Sequence, residues 1–92
     1  MAIEVRIPTI LRSYTGGQKS IEGKGSTLDE LFADLDGRYE GLRGRLVDDA
    51  GLRRFVNVYL NDEDVRFLGG LGALVADGDT VTVLPAVAGG AR

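Results

Sequence analysis

No cysteine and no histidine occur among the 92 residues. That pair of absences removes the usual thiol nucleophile, the usual near-neutral general base and the usual zinc ligands at once. Any self-contained catalysis would rest on carboxylates, lysine or tyrosine, so an enzyme is not expected. Without cysteine there is no disulfide framework. Tryptophan is also missing, and there are two prolines. Long apolar runs are lacking too: the longest, Ala73-Leu74-Val75-Ala76 with its neighbours, is far short of a membrane span. The start, Met1-Ala2-Ile3-Glu4-Val5, has neither the basic nor the long apolar region of a secretory signal, which makes the expected location cytoplasmic.

What is present is ordinary for a globular domain. Hydrophobic residues make up 43% and charged residues 27%. A chain this short forms one domain that buries only about 60 to 65% of its unfolded surface, leaving little core to give up to a large substrate cleft. The net charge of −3 argues against partnership with nucleic acid or an anionic membrane. Arg43, Arg45, Arg53 and Arg54 form a possible local basic patch, or else a solvated face balanced by Asp48 and Asp49.

Ile3, Val5 and Ile7 alternate with Glu4 and Arg6, the period of a strand with one buried face. Pro8 marks its end or an edge. After the punctuation of Thr15-Gly16-Gly17, the polar stretch Gln18-Lys19-Ser20-Ile21-Glu22 reads as a second strand, completing a hairpin. Thr27-Leu28-Asp29-Glu30 fits a capping box, and Leu28, Leu31, Phe32 and Leu35 recur at helical spacing, so one amphipathic helix runs to Gly37. Leu42 and Leu46 have the spacing of a single helical turn. A strong strand spans residues 55–60, and Asn61-Asp62-Glu63 turns into a short strand, Asp64-Val65-Arg66-Phe67. Gly69, Gly70 and Gly72 mark an irregular segment. Asp77-Gly78-Asp79 turns into a last strand, Thr80-Val81-Thr82-Val83-Leu84, with Val81 and Val83 facing the core. The order points to a two-layer α+β domain over residues 1–86, with one main helix across a mixed sheet of about five strands.

Past the last strand the chain runs Pro85-Ala86-Val87-Ala88-Gly89-Gly90-Ala91-Arg92, a predicted flexible tail over residues 87–92. With 14 glycines, about two adjacent pairs arise by chance, and three occur: Gly16-Gly17, Gly69-Gly70 and Gly89-Gly90. Position distinguishes the last pair. A diglycine near the end has no side chain to obstruct a narrow channel, so another enzyme can reach the Gly90 carboxyl group, and the tail reads as a substrate.

Other motifs are weaker. Neither Lys19 nor Lys24 sits in G-x-x-x-x-G-K-[ST] between a strand and a helix, so a phosphate-binding loop is not indicated. Asp62, Glu63 and Asp64 lack the spacing of a calcium loop, and no metal site is expected. By alternation, Phe55 and Tyr59 on one strand and Leu84 on another point away from the helix. An apolar cluster there is either a docking surface for a partner or a patch covered by a neighbouring loop.

From Ile3 to Gly90 the chain resembles the ubiquitin-like β-grasp sulfur carriers of the ThiS/MoaD family. The likeness is carried by Ile7-Pro8-Thr9-Ile10-Leu11-Arg12, Thr15-Gly16-Gly17-Gln18-Lys19, Arg54-Phe55-Val56-Asn57-Val58-Tyr59, Asn61-Asp62-Glu63-Asp64-Val65-Arg66-Phe67 and Ala76-Asp77-Gly78-Asp79 through Gly90. The first four look like the CysO subgroup. The resemblance implies a carrier that binds no cofactor itself. An activating adenylyltransferase of the ubiquitin-activating type would consume ATP to adenylate Gly90, and a sulfur donor would convert it to a thiocarboxylate. A sulfur-accepting synthase would then use it for cysteine, a thio-sugar or a related metabolite. Val87, Ala88 and Gly89 would be read by the partners' channels. One departure stands out: Ala91 and Arg92 follow Gly90. The Gly90–Ala91 bond would therefore be cut first, as the family's JAMM-type metallopeptidase implies. Two other readings use the same residues. One is a ubiquitin-like modifier joined through Gly90 to lysines, and the other is a plain interaction module using the Phe55, Tyr59 and Leu84 face.

Overall fold

The structure is a computed structural model and describes residues 2–85. Strands β1 (Ile3–Arg6), β2 (Ser20–Gly23), β5 (Val56–Leu60), β6 (Glu63–Asp64) and β7 (Thr80–Pro85) form one sheet in the order β2-β1-β7-β5-β6. β1 and β7 are parallel and every other pair in this sheet is antiparallel. The last strand therefore lies at the centre. This is the β-grasp arrangement that the α+β reading anticipates.

Helix α1 (Leu28–Asp36) crosses one face of the sheet. It starts where it does because the Thr27 hydroxyl accepts the Glu30 N–H at 3.2 Å. The Glu30 carboxylate reaches back one residue further than a standard capping box, accepting the Ser26 N–H at 2.9 Å. Its stripe of Leu28, Leu31, Phe32 and Leu35 is fully buried against the inward residues Val5, Val58, Val81 and Val83. Truncating a ring buried like Phe32 costs roughly 3–5 kcal/mol, so this interface holds the two layers together. The connection from β2 can pass this close to the helix because of Gly25, where a Cβ would meet the Leu31 backbone nitrogen at 2.6 Å.

Helix α2 (Leu42–Leu46) supplies Leu42 and Leu46 to the same core, matching the single turn anticipated from their spacing. The Asp36 carboxylate accepts the Gly41 and Arg43 N–H groups at 3.1 and 3.2 Å, which fixes the start of that turn.

Three features differ from the sequence reading. The β1–β2 connection holds a seven-residue 3₁₀ helix, Thr9–Thr15, that buries Leu11 and Thr15 and ends at Gly16 with φ +65°. The Thr15 hydroxyl shares its proton between the Gln18 and Arg12 carbonyls, at 3.0 and 3.2 Å, which reconciles a buried polar group with the core. Strands β3 (Val47–Asp48) and β4 (Gly51–Leu52) form a small separate hairpin. The stretch anticipated as a strand over residues 64–67 is instead a two-residue β6 followed by a 3₁₀ turn, Val65–Phe67. The physical reason is that Asp64 caps the turn by accepting the Arg66 N–H at 2.9 Å.

Candidate docking site at the end of the central strand

Most of the open face of the sheet is polar. Glu4 and Arg6 on β1, Thr80 and Thr82 on β7 and Asn57 on β5 alternate with the buried residues of their strands. At the C-terminal end of β7 this changes. Leu84, opposite Asn57 in the ladder, is 44% exposed; Phe55, just before β5, is 68% exposed; Ile10, in the Thr9–Thr15 helix, is 67% exposed. Large side chains left in water beside one another make this a candidate interaction surface.

Two open grooves flank this strand end and share Pro8, Ile10, Val83, Leu84 and Pro85. The larger, of about 680 Å³, extends over β1 to Arg6, Arg12 and Lys19. The smaller, of about 280 Å³, lies between the Thr9–Thr15 helix and β5, and is walled by Phe55, Arg45 and Arg53. The structure thus brings Phe55 and Leu84 to one groove. Tyr59, grouped with them by alternation, lies further along β5 between Thr82 and Asp64, half-buried, and lines neither groove. Ile10 was not anticipated. Its neighbour Leu11 is buried, and no local pattern distinguishes the two.

Arg66 shapes the Phe55 side. Its guanidinium donates to the Val56 carbonyl at 2.8 Å, to the Arg53 carbonyl at 3.3 Å and to Asn57 Oδ1 at 3.2 Å, pinning the chain as it enters β5. Val87, Ala88, Gly89, Gly90 and Ala91, the tail residues singled out in the sequence, lie outside the described residues. Among the described residues no group of three or more Asp or Glu side chains is placed to hold a metal ion, and no helix is long and apolar enough to cross a membrane.

Comparison with known proteins supplies the family. The ThiS family model matches residues 5–90. The sulfur carrier protein CysO of Mycobacterium tuberculosis is 57% identical, covering 98% of this chain and all of that protein. The small archaeal modifier protein 3 of Haloferax volcanii is 38% identical with the same coverage. Among solved structures, the Amycolatopsis orientalis BexX/CysO complex contains a chain that superposes with a TM-score of 0.91 at 59% identity, covering 94% of this chain and 97% of that one. The ubiquitin-like β-grasp fold is therefore shared along with the sequence, and the chain is of the carrier kind, a protein acted on by enzymes. It belongs to the ThiS family, as a CysO-like sulfur carrier protein.

Proposed function

We propose that the chain carries sulfur as a thiocarboxylate on Gly90 and delivers it to a biosynthetic enzyme in the cytoplasm. Removal of Ala91-Arg92 by a JAMM-type metallopeptidase exposes the Gly90 carboxylate. An activating enzyme then joins it to the AMP portion of ATP, releasing pyrophosphate. Hydrosulfide, released by a sulfur donor, attacks the acyl carbon; the new C–S bond forms as the C–O bond to AMP breaks, and AMP leaves. Sulfur delivered this way stays nucleophilic and tethered to a protein handle that partners can recognise. The carrier contributes no cofactor, and ATP is consumed by its partner.

The observation that supports this reading most directly is the position of β7. A strand at the centre of the sheet ends at Pro85 beside an apolar face, and Gly90 is the fifth residue beyond Pro85. Covalent geometry allows five residues to span at most about 18 Å, enough for the folded part to rest on a partner while Gly90 reaches an interior active site. Val87, Ala88 and Gly89 then occupy the channel, where small side chains are required. The Amycolatopsis orientalis BexX/CysO complex supports docking of such a carrier on a protein partner; the recipient we propose is a sulfur-accepting synthase, with cysteine or a thio-sugar as product class.

The test is intact-mass analysis of the chain, trimmed to end at Gly90, after incubation with an activating enzyme, ATP and a sulfide source. Replacement of one terminal oxygen by sulfur is expected. An unchanged mass under conditions that thiocarboxylate a known CysO refutes the reading. A second reading, a modifier joined through Gly90 to lysines, draws on the likeness to the small archaeal modifier protein 3. It predicts larger covalent adducts in cell lysates, where the carrier reading predicts a single free band.

A further inference from the structure

Charge is distributed very unevenly over this molecule. Five of its eleven cationic side chains, Arg6, Arg12, Lys19, Arg45 and Arg53, line the two grooves beside Leu84 and Pro85, together with one of its fourteen carboxylates, Glu4. The grooves hold a net +4 in a chain of net −3, which leaves −7 on the remainder. Glu4 is matched by Arg6 at 3.6 Å. Among the described residues, Arg12, Lys19, Arg45 and Arg53 form no ion pair; of the cations that line neither groove, Arg38, Arg43 and Arg66 each face an aspartate, while Lys24 and Arg54 are unpaired.

Two of the four are also held in place. Arg12 spends its Nε–H on the Ile7 carbonyl at 3.2 Å, and Arg53 spends its own on the Gly44 carbonyl at 2.8 Å. Arg45 lies over the Tyr14 ring, 6.0 Å from its centroid. Anchoring through Nε leaves the terminal N–H groups of a guanidinium directed outward, with less side-chain entropy to lose when they meet a carboxylate. Cations arranged around an apolar centre, on a protein that is otherwise acidic, match a protein surface of apolar centre and carboxylate rim.

We propose that the carrier is selected by partners through this charge pattern: Ile10, Phe55 and Leu84 fill an apolar patch on the partner, while Arg12, Lys19, Arg45 and Arg53 meet Asp and Glu side chains bordering it. The acidic remainder of the molecule is repelled by the same border, so the tail end is presented first. The inference rests on the carrier reading for the kind of partner involved, and concerns recognition rather than tail chemistry.

Binding of the full-length chain to purified BexX, measured by titration calorimetry at low and high salt, tests it. The pairs Arg45→Glu with Arg53→Glu, and Arg12→Glu with Lys19→Glu, are each expected to weaken the dissociation constant by about tenfold or more, and wild-type affinity to fall with salt. Neutral Arg45→Gln with Arg53→Gln is expected to lose less, and Lys24→Glu, a single charge reversal away from the grooves, to lose nothing. Thermal melts confirm that each variant is folded. Affinities within twofold of wild type for both reversed pairs overturn the proposal. So does loss of binding to single-stranded RNA without loss of binding to BexX, which assigns the cations to a polyanion. If thiocarboxylation fails in wild type while the charge dependence holds, the carrier chemistry falls and the docking surface stands; the converse result removes the docking surface alone.

Discussion

Val5 on β1 lies beside Val81 on β7 in the parallel ladder, and both are completely buried. That pairing puts the last strand of the chain at the middle of the sheet, flanked by β1 and β5. The strand end is therefore bordered on one side by Pro8 and Ile10, which follow β1, and on the other by Phe55, which precedes β5. The candidate docking surface and Pro85, the last described residue, share one location because the sheet is ordered in this way.

The tail chemistry requires a narrow segment before the reacting carboxyl. In the trimmed chain, Gly89→Trp is expected to abolish thiocarboxylate formation, read by intact mass, while the melting temperature stays within a degree or so of wild type because the buried core closes within residues 3–83. A variant that reacts at the wild-type rate refutes the need for a slim tail.

Phe55 has most of its surface in water, so its contribution should appear in binding and not in folding. Phe55→Ser is expected to change stability by no more than about 0.5 kcal/mol in denaturant unfolding. Loss of an aromatic anchor at an interface costs about 2 kcal/mol or more, a drop in partner affinity of at least tenfold by calorimetry.

Gly25 permits the close approach of α1 to the chain that follows β2. Its replacement by alanine forces a Cβ against the Leu31 backbone nitrogen, and the helix has to move as a body to relieve the contact. Gly25→Ala is expected to destabilise the fold by about 1–3 kcal/mol in urea unfolding. An unchanged midpoint shows that the helix and this connection can move apart without loss.

Arg66→Met keeps the length of the side chain and removes its donors to Val56, Arg53 and Asn57. Because the guanidinium is partly exposed, the stability loss is expected to be about 1 kcal/mol. Partner affinity should fall further than that figure alone accounts for, since Phe55 and Arg53 lose their support. Equal effects on unfolding and binding refute the positioning role.

Elements with a strong local signal were legible in the sequence. Thr27 and Glu30 announce the start of α1, and its four apolar residues at helical spacing all turn out to be buried. The alternation along β5 and β7 likewise assigns Val56, Val58, Val81 and Val83 to the core. The Thr9–Thr15 helix and the β3–β4 hairpin were not legible, because a 3₁₀ segment has no amphipathic period of its own and two-residue strands are too short to show alternation.

The residues by themselves determined the fold class, the absence of thiol and imidazole chemistry and the likeness of the whole chain to a carrier family, because those follow from composition and from patterns a few residues long. Tertiary structure decided which exposed side chains act together. Arg43 and Arg45 are two residues apart, yet one is paired with Asp29 and the other lines a groove; Ile10 and Leu11 are adjacent, yet one is in water and the other in the core. Such differences depend on what distant segments place alongside each side chain, and only the closed sheet with its helix in position brings those segments together.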